Sequence, residues 1–216
     1  MYGVLAFVTS VIVSIIIFKL SKSGNKSDIT TLLIIGIAIS SFLGAFTSFA
    51  MYLIGENSFK IVTWMMGYLG SATWEKIVIL LFPLIVSVFY FFAKRHELDL
   101  LLSGDEEAHA LGVNVEKLKK RMLVVASLIV GFSVAFTGMI GFVGLIVPHT
   151  MRLLTKSSSN TRLIPLASIG GGVFLLFCDT IGRTIIAPVE IPIGVVTSFF
   201  GAPFFLYLAM RSKKGG

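Results

Sequence analysis

Cysteine is all but missing. A single Cys178 excludes an internal disulfide and any cysteine-based metal site, and three scattered histidines offer no metal cluster. Charge is scarce as well: 13% of the 216 residues are charged against 56% hydrophobic, and a mean hydropathy of +0.94 excludes a soluble domain. Every acid lies in a loop or near the end of an apolar run, so no carboxylate sits at a bilayer midplane to carry a coupled ion, and no polar catalytic set converges there. What remains is a polytopic membrane protein. Its net charge of +7 would suggest nucleic acid in a soluble chain, but these cations sit in loops beside apolar spans, as membrane topology requires.

The apolar runs predict an all-α transmembrane bundle of about seven spans forming one domain over 1–216. Residues 2–18 form the first span, with no basic residue before it and Lys19, Lys22 and Lys26 after it. Such a span starts outside, which reads as the truncated start of a longer chain. Gly24 to Ser27 lacks the glycine spacing and preceding strand of a phosphate loop. Residues 29–54 are the second span, where Gly36, Ser40, Gly44 and Ser48 form a small-residue stripe for helix packing or for lining a path. Trp64, Tyr68 and Trp74 then mark a partly inserted hairpin or short helix at the membrane interface, and 77–93 cross again.

Residues 122–154 are too long for one upright helix and carry Gly138, Gly141, Gly144 and Pro148. Charge decides how often they cross. With two crossings, fifteen of the 18 Lys and Arg residues, from Lys19 to the C-terminal Arg211, Lys213 and Lys214, share one side, leaving Lys60, Lys76 and Arg183 on the other. With one crossing the bias almost vanishes. Residues 163–182 follow, with Gly170 to Gly172 predicting close approach or a local break, and 194–210 complete the set, with Gly194, Ser198 and Ala202 in a second small-residue stripe.

The longest polar interval, 103–121, reads as two short helices outside the membrane. Ser103 caps the first with Glu106 closing a capping box, Gly112 ends it, and Asn114 caps a second that has Glu116 early and Lys119, Lys120 and Arg121 late. Gly104, Ala108 and Leu111 share one face of the first, suited to a groove on another protein; a solvated loop is the alternative.

The spacing G-x-x-x-A-x-x-L-G at Gly104, Ala108, Leu111 and Gly112 resembles the coupling-helix motif of the FecCD branch of bacterial ATP-binding-cassette importer permeases. The run GMIGFVGLIVPHTMRLL at 138–154 is similar to that family's signature, through Gly141, Phe142, Gly144, Pro148, His149 and Arg152. Two more stretches agree: Asp179 and Arg183 followed by Glu190, Pro192 and Gly194, and Thr197, Gly201, Pro203 and Phe205 after Gly194. His149 reads as a hydrogen-bonding structural residue and Arg152 as a cytoplasmic boundary.

The resemblance implies the later part of a ten-helix permease fold, without catalysis of its own and without a bound cofactor; ATP and Mg belong to a partner ATPase. It implies ATPase coupling through Gly104, Glu107, Ala108, Leu111 and Gly112, and a path beside Gly36, Ser40, Gly44, Ser48, Gly194 and Ser198. Arg183 and Glu190 are implied to dock an external substrate-binding protein, the alternative being a simple Asp179–Arg183 pair. The implied assembly is a permease homodimer or heterodimer with two cytoplasmic ATPase subunits, multi-pass in the bacterial cell membrane with the C-terminus cytoplasmic. Iron-siderophore, haem or cobalamin would be the cargo. The rival readings are a secondary transporter and a nonfunctional truncated membrane protein.

Overall fold

The computed structural model describes residues 2–20, 22–23, 26–27 and 29–212. Gly24, Asn25, Lys213 and Lys214, used above in the loop and charge arguments, lie outside the described residues. The described residues form ten α-helices: α1 (Tyr2–Leu20), α2 (Ile29–Ile54), α3 (Phe59–Met65), α4 (Trp74–Ala93), α5 (Arg95–Leu101), α6 (Asp105–Ala110), α7 (Val115–Thr137), α8 (Val143–Thr155), α9 (Asn160–Thr184) and α10 (Ile193–Ser212). The only strands among the described residues are the two-residue pair Lys22–Ser23 and Lys26–Ser27 between α1 and α2.

Among the described residues, four helices are long and apolar enough to cross a membrane: Leu33–Ile54 within α2, and α4, α7 and α9. The 23 residues of α7 extend about 34 Å at 1.5 Å per residue, enough for a hydrocarbon core of about 30 Å. The 13 residues of α8 reach only about 20 Å. It is a short helix set against α9 and α10, with Ile146 and Val147 buried and both of its ends largely exposed.

The long run at 122–154 is broken as its glycines predict. α7 ends at Gly138, whose φ is +70°, and α8 starts after Phe142. The glycine triplet in α9 makes no break. The helix runs through it, and close approach is confined to Gly170, where a Cβ would lie 2.9 Å from Met151 Cε and 3.2 Å from Val147 Cγ1 of α8.

Polar residues 103–121 depart from the two-helix expectation. The second helix is the first two turns of α7, which continues unbroken into the apolar span. The capping box is absent as well. Gly104, not Ser103, holds the N-cap position, with φ +126° and no side-chain cap bond, a conformation that favours glycine over any residue with a Cβ. The Asn114 cap does form, its side chain accepting from Lys117 N at 3.0 Å.

Two apolar clusters sit at opposite ends of α7. Ala108, Val113, Val115 and Leu118 are buried together, with Leu100, Leu101 and Met122 against them. At the other end Cys178, Ile193 and Val196 are buried with Leu69, Ile140 and Phe174. The first cluster seats α6 on the bundle; the second joins α9, α10 and the loops around them.

Candidate functional site

The end of the molecule that carries α6 is built by ordinary helix-terminus chemistry. α6 closes in a Schellman arrangement: Val113 N donates to Ala108 O at 3.0 Å and Gly112 N to His109 O at 3.0 Å, with Gly112 at φ +87°. The apolar contact that accompanies this motif is the packing of Val113 with Ala108. Lys119 of α7 pairs with Asp105 at the start of α6, where a carboxylate also favours the helix dipole.

This geometry divides the implied coupling residues into two groups. Ala108 is fully buried against α7, so it does not share an outward face with Leu111. That corrects the docking face read from the spacing. Glu107 and Gly112 are exposed, Gly104 is half-buried, and Leu111 is 64% exposed; Leu102, 56% exposed, was not singled out by the sequence. Large apolar side chains held in the open on a polar element are what a protein partner would cover.

Beside α6, α5 carries a residue that sequence reasoning missed. Asp99 accepts hydrogen bonds from Asn160 N at 2.6 Å, Asn160 Nδ2 at 2.8 Å and Ser159 Oγ at 3.1 Å. Burial pushes its carboxyl up, but the bonds from Asn160 and Ser159 outweigh that and hold it below the ordinary aspartate value. The signal was there in part: Ser157 to Asn160 precedes an apolar run, as helix caps do.

At the opposite end Arg183 lies beside both Asp179 and Glu190, so the internal Asp179–Arg183 pair named as the alternative to docking does form. Arg183 Nε meets Asp179 Oδ2 at 2.8 Å and Nη1 lies 3.6 Å from Glu190 Oε1, with Arg183 and Glu190 each 41% exposed. The Glu190 carboxylate also acts on Tyr68, holding its hydroxyl above the ordinary tyrosine value. Arg183 is therefore the centre of a mixed-charge cluster.

The two small-residue stripes line separate hollows. Gly194 and Ser198 border a cavity of about 680 Å³ with Met65, Met66, Met139 and Phe199. Gly36 and Ser40 border one of about 450 Å³ between α1, α2 and α7. Gly44 and Ser48 line neither among their residues and lie on an exposed part of α2. Gly194 is there for close approach: its N–H donates to Met66 O at 3.0 Å, and a Cβ would stand 2.3 Å from that oxygen.

Of the signature residues, Phe142 caps α8 at φ +65°, and the position a Cβ would take on Gly201 falls 2.2 Å from the Phe142 ring. His149 packs edge-on against Phe204 with ring centroids 5.8 Å apart, a ring contact where a hydrogen bond was expected, and Arg152 is exposed. Gly141 and Gly144 are exposed, and Pro148 lies inside α8.

A sequence profile of the FecCD transport family matches residues 1–211. The hemin transport system permease protein HmuU of Yersinia pestis is 38% identical over 210 residues, 97% of this chain and 62% of that protein. The cobalamin import system permease protein BtuC of Halobacterium salinarum is 37% identical over 203 residues, 94% of this chain and 54% of that one. A solved inward-facing conformation of a metal-chelate type ABC transporter superposes with a TM-score of 0.80 at 29% identity, covering 92% of this chain and 64% of the other. The chain thus spans between half and two thirds of the length of these relatives.

Proposed function

Because the chain belongs to the FecCD transport family, we propose that it is the permease part of an ATP-binding-cassette importer for a metal chelate or tetrapyrrole of the iron-siderophore, haem or cobalamin kind. The observation that carries this reading is the family match over residues 1–211; α6 adds a short helix seated on the bundle with Leu102 and Leu111 exposed. An ATPase subunit would cover that face. Hydrolysis there would shift α6, and the shift favours one access state only if the ATPase binds the two states with different free energy.

Further features support the reading of seven crossings. α4, α7 and α9 supply three long spans whose ends beside α5 and α6 carry Lys94, Arg95, Lys117, Lys120 and Arg162, while Lys76 and Arg183 lie at the other ends. The positive-inside rule then makes the α6 end cytoplasmic and the Arg183 cluster external, facing a substrate-binding protein. α1, α8 and α10 complete the count with α2. The partners follow: a second permease, two ATPases and the binding protein.

The test is co-purification of the chain, in full-length context, with its paired ATPase. Leu111→Glu should abolish the association while leaving thermal stability unchanged, because Leu111 is largely exposed. Unchanged association for Leu111→Glu and for Leu102→Glu together would sink the docking assignment.

A further inference from the structure

α7 is joined to α6 by chain, through residues 111–114. α9 is not, although it packs on α8 and α10, and α10 lines the larger cavity through Gly194, Ser198 and Phe199. α4 packs on both α7 and α9, and a second link between α6 and α9 passes through α5. On one side Leu100 and Leu101 of α5 pack against the Ala108 cluster. On the other, Asp99 holds the start of α9 with three hydrogen bonds, two from Asn160 and one from Ser159.

That hold replaces a missing cap. Ser159 occupies the N-cap position of α9 with extended backbone, φ −65° and ψ 127°, yet its side chain makes no cap bond. The first-turn N–H groups of a helix need an acceptor, and Asp99 supplies one from 61 positions earlier in the chain to Asn160 N. Its negative charge also lies where the dipole of α9 favours it. α9 then runs 25 residues, about 37 Å, to the Asp179, Arg183 and Glu190 cluster. A helix capped in this way moves with the group that caps it.

We propose that Asp99 is the positioning residue through which motion of α6 reaches α9, an inference that rests on the permease reading. Asp99 touches neither cargo nor nucleotide. It fixes the register between the ATPase-facing element and the helix that spans to the outer cluster. Without it, α6 would still dock and α7 would still follow, but α9 would be held to them only through its packing on α4 and not by its capped end.

The experiment uses the full chain assembled with its paired ATPase in proteoliposomes, and reads ATP hydrolysis with and without the cargo-free binding protein. Asp99→Ala should keep the ATPase at wild-type stoichiometry and leave the KM for ATP unchanged. Stimulation by the binding protein should fall at least about fivefold, the lower range of coupling between linked sites. Asp99→Asn, which retains an acceptor for Asn160 N–H, should recover most of it. A second variant, Ser159→Ala with Asn160→Ala, removes the two side-chain donors but keeps the Asn160 N–H, so it should lower stimulation less than Asp99→Ala does; added to Asp99→Ala it should cost nothing more. Wild-type stimulation in Asp99→Ala, or in the double variant should Asp99→Ala fail to assemble, overturns the proposal. So do losses that multiply when the two are combined. A wild-type chain that binds no ATPase overturns the permease reading, and the role of Asp99 with it.

Discussion

At the scale of single residues, Ala108 and Leu111 divide the labour of one short helix. Ala108 is fully buried under α7 and leaves no room for a larger side chain, so Ala108→Trp should lower stability by about 1–3 kcal/mol, the usual cost of overpacking. Thermal unfolding in detergent measures this, and an unchanged midpoint would place Ala108 outside the core. Arg183 poses a different question, since Asp179 and Glu190 already flank it. An exposed helical pair of this kind contributes only about 0.2–0.5 kcal/mol, so Arg183→Ala should leave the fold intact. If Arg183 also meets an acid of the binding protein, the variant weakens that complex, and more so at low salt than at high salt. Equal affinity at both salt concentrations would confine Arg183 to its internal partners. Asp99 has a pH signature of its own. Its folded pKa lies below the unfolded value, so its stabilising bonds are fully present above the unfolded pKa and are lost only as pH falls through the folded one.

Elements explain what the sequence disclosed and what it hid. The boundaries of α2, α4, α9 and α10 followed the apolar runs closely, because lipid leaves a spanning backbone no alternative to helix. The break between α7 and α8 followed from its glycines. What stayed hidden depends on contacts distant in sequence: the cap of α9 by Asp99, the burial of Ala108, and the left-handed backbone of Phe142, which no local rule assigns to a phenylalanine. The packing of α8 on α10 yields a matched pair of tests. Gly201→Ala would put a Cβ 2.2 Å from the Phe142 ring and should destabilise the contact, whereas Gly172→Ala meets nothing within 4 Å and should be neutral or stabilising by up to about 1 kcal/mol, the helix preference of alanine over glycine. A Gly201→Ala protein as heat-stable as wild type would contradict the packing described.

For the whole molecule, the account joins three places: the α6 end, the cavity beside Gly194 and Ser198, and the Arg183 cluster. Composition made the membrane class legible, and charge made the sidedness arguable, but neither shows how a signal crosses. Sidedness has its own check in a Cys178→Ser background, where a cysteine at Ser158 should label only from the cytoplasm and one at Ser58 only from outside. Labelling of position 158 from outside would invert the topology. The permease reading has ATP, bound by the partner ATPase at the α6 end, change access to the cavity at the other. Its most direct measurement is the reaction rate of Ser198→Cys, in the Cys178→Ser background, with a membrane-impermeant thiol reagent applied outside the assembled transporter. The rates should differ between the nucleotide-free and ATP-trapped states; the same rate in both, with ATP bound, would contradict the permease reading.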